Sequence, residues 1–215
     1  YSIWENSGVG VDLYGDVNDL LIEDNTFSGG QWGLQLNANN RRFTNLAVRG
    51  NTFSGHSYDA VYINGPDFID VTIADNVISR ARYGIYLSSQ DEFTRLGVQG
   101  NRVADSQYGF YMRTQWNGWM RSTTIADNDF RRISGDSLTV YYAYIDALNI
   151  ARNTIVDGNA RGIVLTDLYR GTANGVTINS NTLARNATAP LYLANLQNGI
   201  DAAVTGVAER VLVAH

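Results

Sequence analysis

Ile73-Ala-Asp-Asn76 returns unchanged as Ile125-Ala-Asp-Asn128, and the spacing of such copies decides the fold. The same element, apolar-x-x-Asn, occurs as Ile22-Glu-Asp-Asn25, Val48-Arg-Gly-Asn51, Val98-Gln-Gly-Asn101, Ile150-Ala-Arg-Asn153 and Ile178-Asn-Ser-Asn181. Successive Asn residues stand 26, 25, 25, 27, 25 and 28 positions apart. A last copy, Val204-Thr-Gly-Val207, has lost its Asn. A period in the twenties marks a solenoid, whose units bury their apolar faces on one another.

The local period says which solenoid. Leu20 and Ile22, Leu46 and Val48, and Val71 and Ile73 alternate with polar residues, which is the period of strands. A second alternating segment follows each Asn, as in Gly33-Leu-Gln-Leu36, Ala60-Val-Tyr-Ile63, Gly84-Ile-Tyr-Leu87, Gly109-Phe-Tyr-Met112 and Gly162-Ile-Val-Leu165. Each coil therefore runs strand, Asn turn, short strand, Gly corner, strand, loop. That is an all-β parallel β-helix, with residues 1–215 forming a single domain of about seven and a half coils at ~4.8 Å spacing. Two inward ladders are expected: Ile22, Val48, Ile73, Val98, Ile125, Ile150, Ile178 and Val204, and Phe27, Phe53, Ile78, Val103, Phe130, Ile155 and Leu183. The Asn column is expected to be structural, with each Asn in a left-handed turn and its amide bonded coil to coil.

Composition narrows the chemistry. All 16 basic residues are Arg, there is no Cys, the histidines are His56 and His215, and the formal charge is −5. No thiolate or multi-histidine metal centre and no lysine base can be assembled from this set. The acidic balance argues against nucleic acid as a partner. No apolar run approaches the ~18 residues of a membrane span. The chain starts at Tyr1 without Met or signal peptide, as expected of a mature or excised segment lacking its N-terminal cap, placed outside the cell or in the periplasm.

The repeats resemble the right-handed parallel β-helix superfamily, the pectate-lyase-like proteins and the carbohydrate-binding and sugar hydrolysis repeats. The resemblance implies a secreted protein acting on polysaccharides. Ser7-Gly-Val-Gly-Val-Asp-Leu-Tyr14 is also similar to the Ser-Gly-Tyr-Gly-Phe-Asp-Pro-His stretch of mannuronan C5-epimerases. Asp12 then falls on that family's catalytic Asp, Val9 replaces its Tyr, Tyr14 replaces its His, and Asn37 stands in for a second Asp. The resemblance makes Asp12 and Tyr14 the candidate catalytic pair.

Inward columns are core, so binding falls to outward ones. One outward column is expected to be Asp12, Gln35, Tyr62, Tyr86, Tyr111, Thr139, Val164 and Tyr192. The next is Tyr14, Asn37, Asn64, Ser88, Arg113, Tyr141, Thr166 and Ala194. Gln35, Asn37, Tyr62, Tyr86, Tyr111, Arg113 and Tyr141 form the candidate substrate strip, since rigid amphipathic rings suit flat sugar faces. The insertion Arg113-Thr-Gln-Trp-Asn-Gly-Trp-Met-Arg121 adds Trp116 and Trp119 as a wall in a polar loop. His56 is a candidate base paired with Asp59. The function expected is binding of an extended, acidic polysaccharide, with modification of lyase or epimerase type. The alternative is a non-catalytic rod or binding segment of a larger surface protein, adhesin or tailspike. No cofactor is required. Calcium is left open by the resemblance: calcium-dependent pectate lyase chemistry needs an acidic cluster and an arginine base, for which Asp91, Glu92 and Arg113 are the candidates. The expected partners besides polysaccharide are other segments of a longer chain or a homotrimer.

Overall fold

The computed structural model describes residues 3–5, 8–38, 42–115, 118–186, 188–195, 202–205 and 211–214, with backbone alone for 3, 4, 170–174, 202–205 and 211–214. The described residues contain strands and no helix, wound into a β-solenoid of about seven turns. All described pairings are parallel. An eight-stranded sheet collects the short strands after each Asn, and a 14-stranded sheet holds the rest.

Like stacks on like, as the period requires. Ile22 pairs in register with Val48, Val48 with Ile73, Ile73 with Val98, Val98 with Ile125, Ile125 with Ile150, and Ile150 with Ile178. In the second ladder the Phe27 and Phe53 rings lie 4.8 Å apart and nearly parallel. A third ladder was hidden in the segment expected to be a loop. Arg42–Arg49, Asp59–Ala74 and Tyr83–Gln99 are strands through that region. They bring Phe43, Phe68, Phe93, Met120 and Ile145 into one buried column. Its members are also about one coil apart in sequence.

The Asn column is a continuous chain of buried hydrogen bonds. The Asn76 backbone N–H and Nδ2 both donate to Asn101 Oδ1, at 3.1 and 2.9 Å, and Nδ2 also donates to Val48 O at 2.9 Å. Asn101 repeats this toward Asn128 Oδ1, at 3.0 Å for both donors, and back to Ile73 O at 2.8 Å. Each amide therefore ties its own coil to the one before and the one after. The left-handed turn expected at the Asn sits one residue earlier, at Asp24, Gly50, Asp75, Gly100, Asp127, Arg152 and Ser180, with φ between 53° and 66°. The Asn supplies the axial hydrogen bonds, and its predecessor turns the chain. At Gly100 an added Cβ would come within 2.2 Å of Asp75 Oδ1, so the carboxylate of the preceding coil lies over the glycine.

Other corners are left-handed too, and ion pairs stack there. Arg95 lies on Asp70, Arg132 on Asp105, Arg152 on Asp127 and Arg185 on Asp157, each one coil apart and each bidentate. The guanidinium in each pair holds its Asp below the usual carboxylate range. Gly109, at the start of a long strand, answers a different need. A Cβ there would meet Ser137 O at 2.2 Å, so its conformation is ordinary but the next coil comes too close.

Removing one amide from the ladder strands its neighbours. Asn101→Ala leaves the Asn76 backbone N–H without its acceptor, removes one of the two bonds of Asn76 Nδ2 and takes a donor from the Ile73 carbonyl, in a site 0% exposed. A destabilisation of about 3 kcal/mol or more is expected, read as a lower Tm in a thermal melt followed by circular dichroism.

Candidate functional site

The two outward columns of the long strands are in register throughout their described length. Asp12 pairs with Gln35, Gln35 with Tyr62, Tyr62 with Tyr86, Tyr86 with Tyr111, and Tyr111 with Thr139. Beside them Tyr14 pairs with Asn37, Asn37 with Asn64, Asn64 with Ser88, Ser88 with Arg113, and Arg113 with Tyr141. Tyr62, Tyr86, Tyr111, Arg113 and Tyr141 are thereby brought together, all half-buried. Asp12 and Tyr14 lie at the far end of the same face, Tyr14 at 64% exposure. Asn37 was expected on the open surface but is buried at 8%. Thr139 and Val164, two short side chains set between Tyr111 and Tyr192 in the ladder, are buried as well, so the outward column is not outward along its whole length.

The tyrosines form one cluster. Tyr62 and Tyr86 meet edge to face at 5.3 Å, and Tyr86 and Tyr111 at 5.2 Å. Tyr83 joins them, 5.0 Å from Tyr86, and stacks on Tyr108 at 4.6 Å. Tyr83 and Tyr108 belong to the site although only the third residue of each segment was expected there. The repeated Tyr-Gly-x-Tyr of Tyr83–Tyr86 and Tyr108–Tyr111 is the signal that could have found them. Burial raises the phenol pKa values of Tyr62, Tyr83 and Tyr86, and pushes that of Tyr111 to about 12, with the Arg113 charge opposing it at Tyr62, Tyr86 and Tyr111. These phenols stay neutral and offer hydroxyls for hydrogen bonding.

A carboxyl lies within the cluster. Asp59 is 6% exposed and pairs in register with Tyr83. Burial pushes its pKa up to about 7, while the Arg82 charge and a hydrogen bond from the Trp32 side chain pull it back. His56 does not pair with it. The His56 ring is buried among core groups, 6.3 Å from Phe53, and neither nitrogen has a hydrogen-bond partner. Burial lowers its pKa, and the nearby backbone of Gly29 and Phe27 acts the other way without reaching hydrogen-bonding geometry.

A second aromatic group continues around the corner. Trp119, expected in a loop, begins the strand Trp119–Arg121 and pairs in register with Glu92 and Tyr144. Its indole stacks on Tyr144 at 5.2 Å, with the Arg121 guanidinium 4.4 Å above it. Tyr144 lies 5.3 Å from Tyr169, and Tyr169 lies 5.6 Å from Tyr142. Trp116 lies outside the described residues. A pocket of about 390 Å³ is lined by Arg113, Thr114, Gln115, Tyr141 and Tyr142, and one of about 170 Å³ by Gly118, Tyr142, Ala143, Tyr144 and Tyr169. Tyr142, shared by both, has φ 53°, a conformation that costs a non-glycine residue roughly 1–2 kcal/mol. The Thr114 hydroxyl donates to its carbonyl and holds the bend.

Metal donors are sparse. There is no Cys, Met112 and Met120 are 0% exposed in the core, and His56 is enclosed. Among the described residues no group of three or more His, Cys, Asp or Glu could hold a metal ion. Glu92, considered for calcium, pairs with Arg121 at 3.1 Å.

Fold and surface together define a parallel β-helix that carries an aromatic groove with an arginine along one face. The chain belongs to the family described as periplasmic copper-binding protein (NosD), a right-handed β-helix family whose model matches residues 3–134. The family is periplasmic, in agreement with the expected extracellular or periplasmic location. No helix among the described residues is long and apolar enough to cross a membrane. Nothing among curated proteins or solved structures matches the chain. The match to this family lends no support to the mannuronan C5-epimerase resemblance of Ser7–Tyr14.

The Asp59 environment has a measurable signature. The folded chain keeps the proton up to about pH 7, whereas an unfolded Asp releases it near 3.8. Stability therefore falls as pH rises between about 4 and 7 and is level above. Asp59→Asn removes this dependence. Its Tm relative to wild type is expected to rise from pH 4 to pH 7, by up to about 4 kcal/mol of stability, and then to stay constant. Thermal melts at pH 4, 5.5, 7 and 8.5 check the trend.

Proposed function

We propose that this β-helix binds an extended, acidic polysaccharide along the face formed by Gln35, Tyr62, Tyr86, Tyr111, Arg113 and Tyr141, with Trp119 on the adjoining platform. The observation that carries the reading is the continuous run of half-buried rings 4.6–5.3 Å apart across neighbouring coils. Such rings present flat apolar area at little cost in side-chain entropy, and their neutral hydroxyls suit sugar hydroxyls. Register with the β-ladder fixes the rings in place, so little order has to be imposed when a ligand binds. Copper, named in the family's description, is not proposed for this chain, because its described donors do not fit a copper site.

Modification of lyase or epimerase type is a second reading. It is favoured by Asp12 and Tyr14, which are exposed, two residues apart on one strand, and open onto the same face. Mass spectrometry of incubated glycans would then show unsaturated ends, or solvent deuterium at C5, lost in Asp12→Asn. Unchanged glycans that nonetheless bind would leave the binding rod as the function.

Tyr86→Ala and Tyr111→Ala should each weaken glycan binding about five- to tenfold, measured by isothermal titration against a panel of alginates, pectins and bacterial exopolysaccharides. Unaltered affinity in both variants would remove the tyrosine face as the binding surface.

A further inference from the structure

Arg113 is half-buried without a carboxylate partner, whereas Arg80, Arg82 and Arg102, the other described arginines outside an ion pair, are exposed. Nine others, from Arg42 to Arg185, hold a carboxylate within about 3.1 Å, and these pairs are mostly stacked along the coil corners. Arg113 has no carboxylate within 4.0 Å among the described residues. Its Nε reaches Ser88 Oγ at 3.4 Å, and its guanidinium lies 5.9 Å from the centre of the Tyr86 ring. The side chain is half-buried and lines the larger pocket together with Thr114, Gln115, Tyr141 and Tyr142. A planar fork, partly desolvated, flanked by aromatic rings and lacking an internal anion, is a seat for a carboxylate supplied from outside.

The rest of the path is equally informative. From Asp12 to Tyr111 in one column, and from Tyr14 to Ser88 in the other, no residue is cationic. What charge there is belongs to Asp12 and to Asp59, whose carboxyl is answered by Arg82. The chain as a whole carries −5. A polymer bearing a carboxylate on every sugar would find one half-buried partner at Arg113 and the exposed Arg82 beside Tyr83, and would lay its remaining anions against neutral rings and acidic side chains. Such unpaired charges discriminate against a ligand as strongly as good contacts select for one.

We infer that the groove takes a sparsely charged heteropolysaccharide, with one carboxylate-bearing sugar seated on Arg113 and neutral sugars laid on Tyr62, Tyr86 and Tyr111. This rests on the polysaccharide reading above and narrows it: homopolyuronates are poor ligands, and the acidic group is read at a single subsite. The carboxylate is recognised as such, whether it belongs to a uronic acid or to a pyruvate ketal.

Three ligand classes of matched length test the inference on the intact chain: neutral glucans, homopolyuronates, and exopolysaccharide oligomers with one carboxylate per repeat. Affinities are measured by titration at low and high salt. Wild type is expected to prefer the singly charged oligomers. Reduction of their carboxyl to an alcohol should weaken binding about 10- to 100-fold, and high salt should shrink that preference. In Arg113→Gln the ratio between acidic and reduced oligomers should collapse toward one, and Arg113→Lys should recover part of it. The ligand-side reduction needs no variant, so it holds even where Arg113→Gln folds poorly. Homopolyuronates binding as tightly as the singly charged oligomers, or a preference that survives in a folded Arg113→Gln, would overturn the inference and leave the polysaccharide reading standing. Failure of every class to bind wild type would overturn both.

Discussion

The buried amide chain from Asn25 to Asn181 is the constraint that the rest of the molecule obeys. Each side chain in its interior spends hydrogen bonds on the coil before and the coil after, and Asn51 and Asn101 bond their own coil as well. These groups are out of reach of water, so a slip of one residue would leave several of them unpaired at once and would turn every inward residue outward. Length variation is therefore expelled from the Asn corner. The steps of 27 and 28 residues are absorbed elsewhere, one of them around Gln115–Gly118, beside the pocket under Arg113. The rigidity of one corner thus decides where the surface is free to vary.

The corners also bear on the basic composition. Left-handed backbone is costly for Arg, yet Arg80, Arg95, Arg132, Arg152 and Arg185 all adopt it. At four of these positions the side chain forms a two-pronged pair with an Asp one coil away. Arg presents a planar fork that matches a carboxylate stacked at the coil spacing, and Lys presents a point charge that does not. At these four corners Arg, and not Lys, therefore serves. Exposed pairs of this kind add little stability singly, but they keep like charges from stacking along an axis where every coil repeats the last.

The inward ladders and the outward columns were legible because identical spacing forces identical register, and register fixes which residues share a face. Local geometry was less legible. The left-handed residue lies one place before each Asn because Asp, Gly, Arg and Ser all occupy that column, and such a mixture hides the constraint. Trp119 and the Phe43 column were assigned to loop because the strand there kinks at Asp70 and Arg95 without losing its pairing. His56 has the look of a surface base in a Ser-Gly-His-Ser turn, yet it fills a core position beneath Gly33, where an added Cβ would stand 3.0 Å from its Nε2. Tyr58 takes the stacking place on Trp32 at 4.9 Å, and nothing in the spacing signals that Asp59 beside it would be buried.

That burial bears on what kind of surface this is. A carboxyl whose pKa burial pushes up to about 7, under rings whose own pKa values burial also raises, marks the tyrosine face as poorly hydrated before any ligand arrives. Natural cores rarely retain such a group, since Asn or an apolar residue would serve packing better. Its presence beside Tyr83 and Tyr86, rather than in the ladders that hold the coil together, places the energetic cost at the face most suited to recognition. The same low polarity strengthens any ion pair made at Arg113, whose guanidinium lies 5.9 Å from the Tyr86 ring, because a charge met there is poorly screened. A single arginine can then do the discriminating that a row of cations would do on a wetter surface.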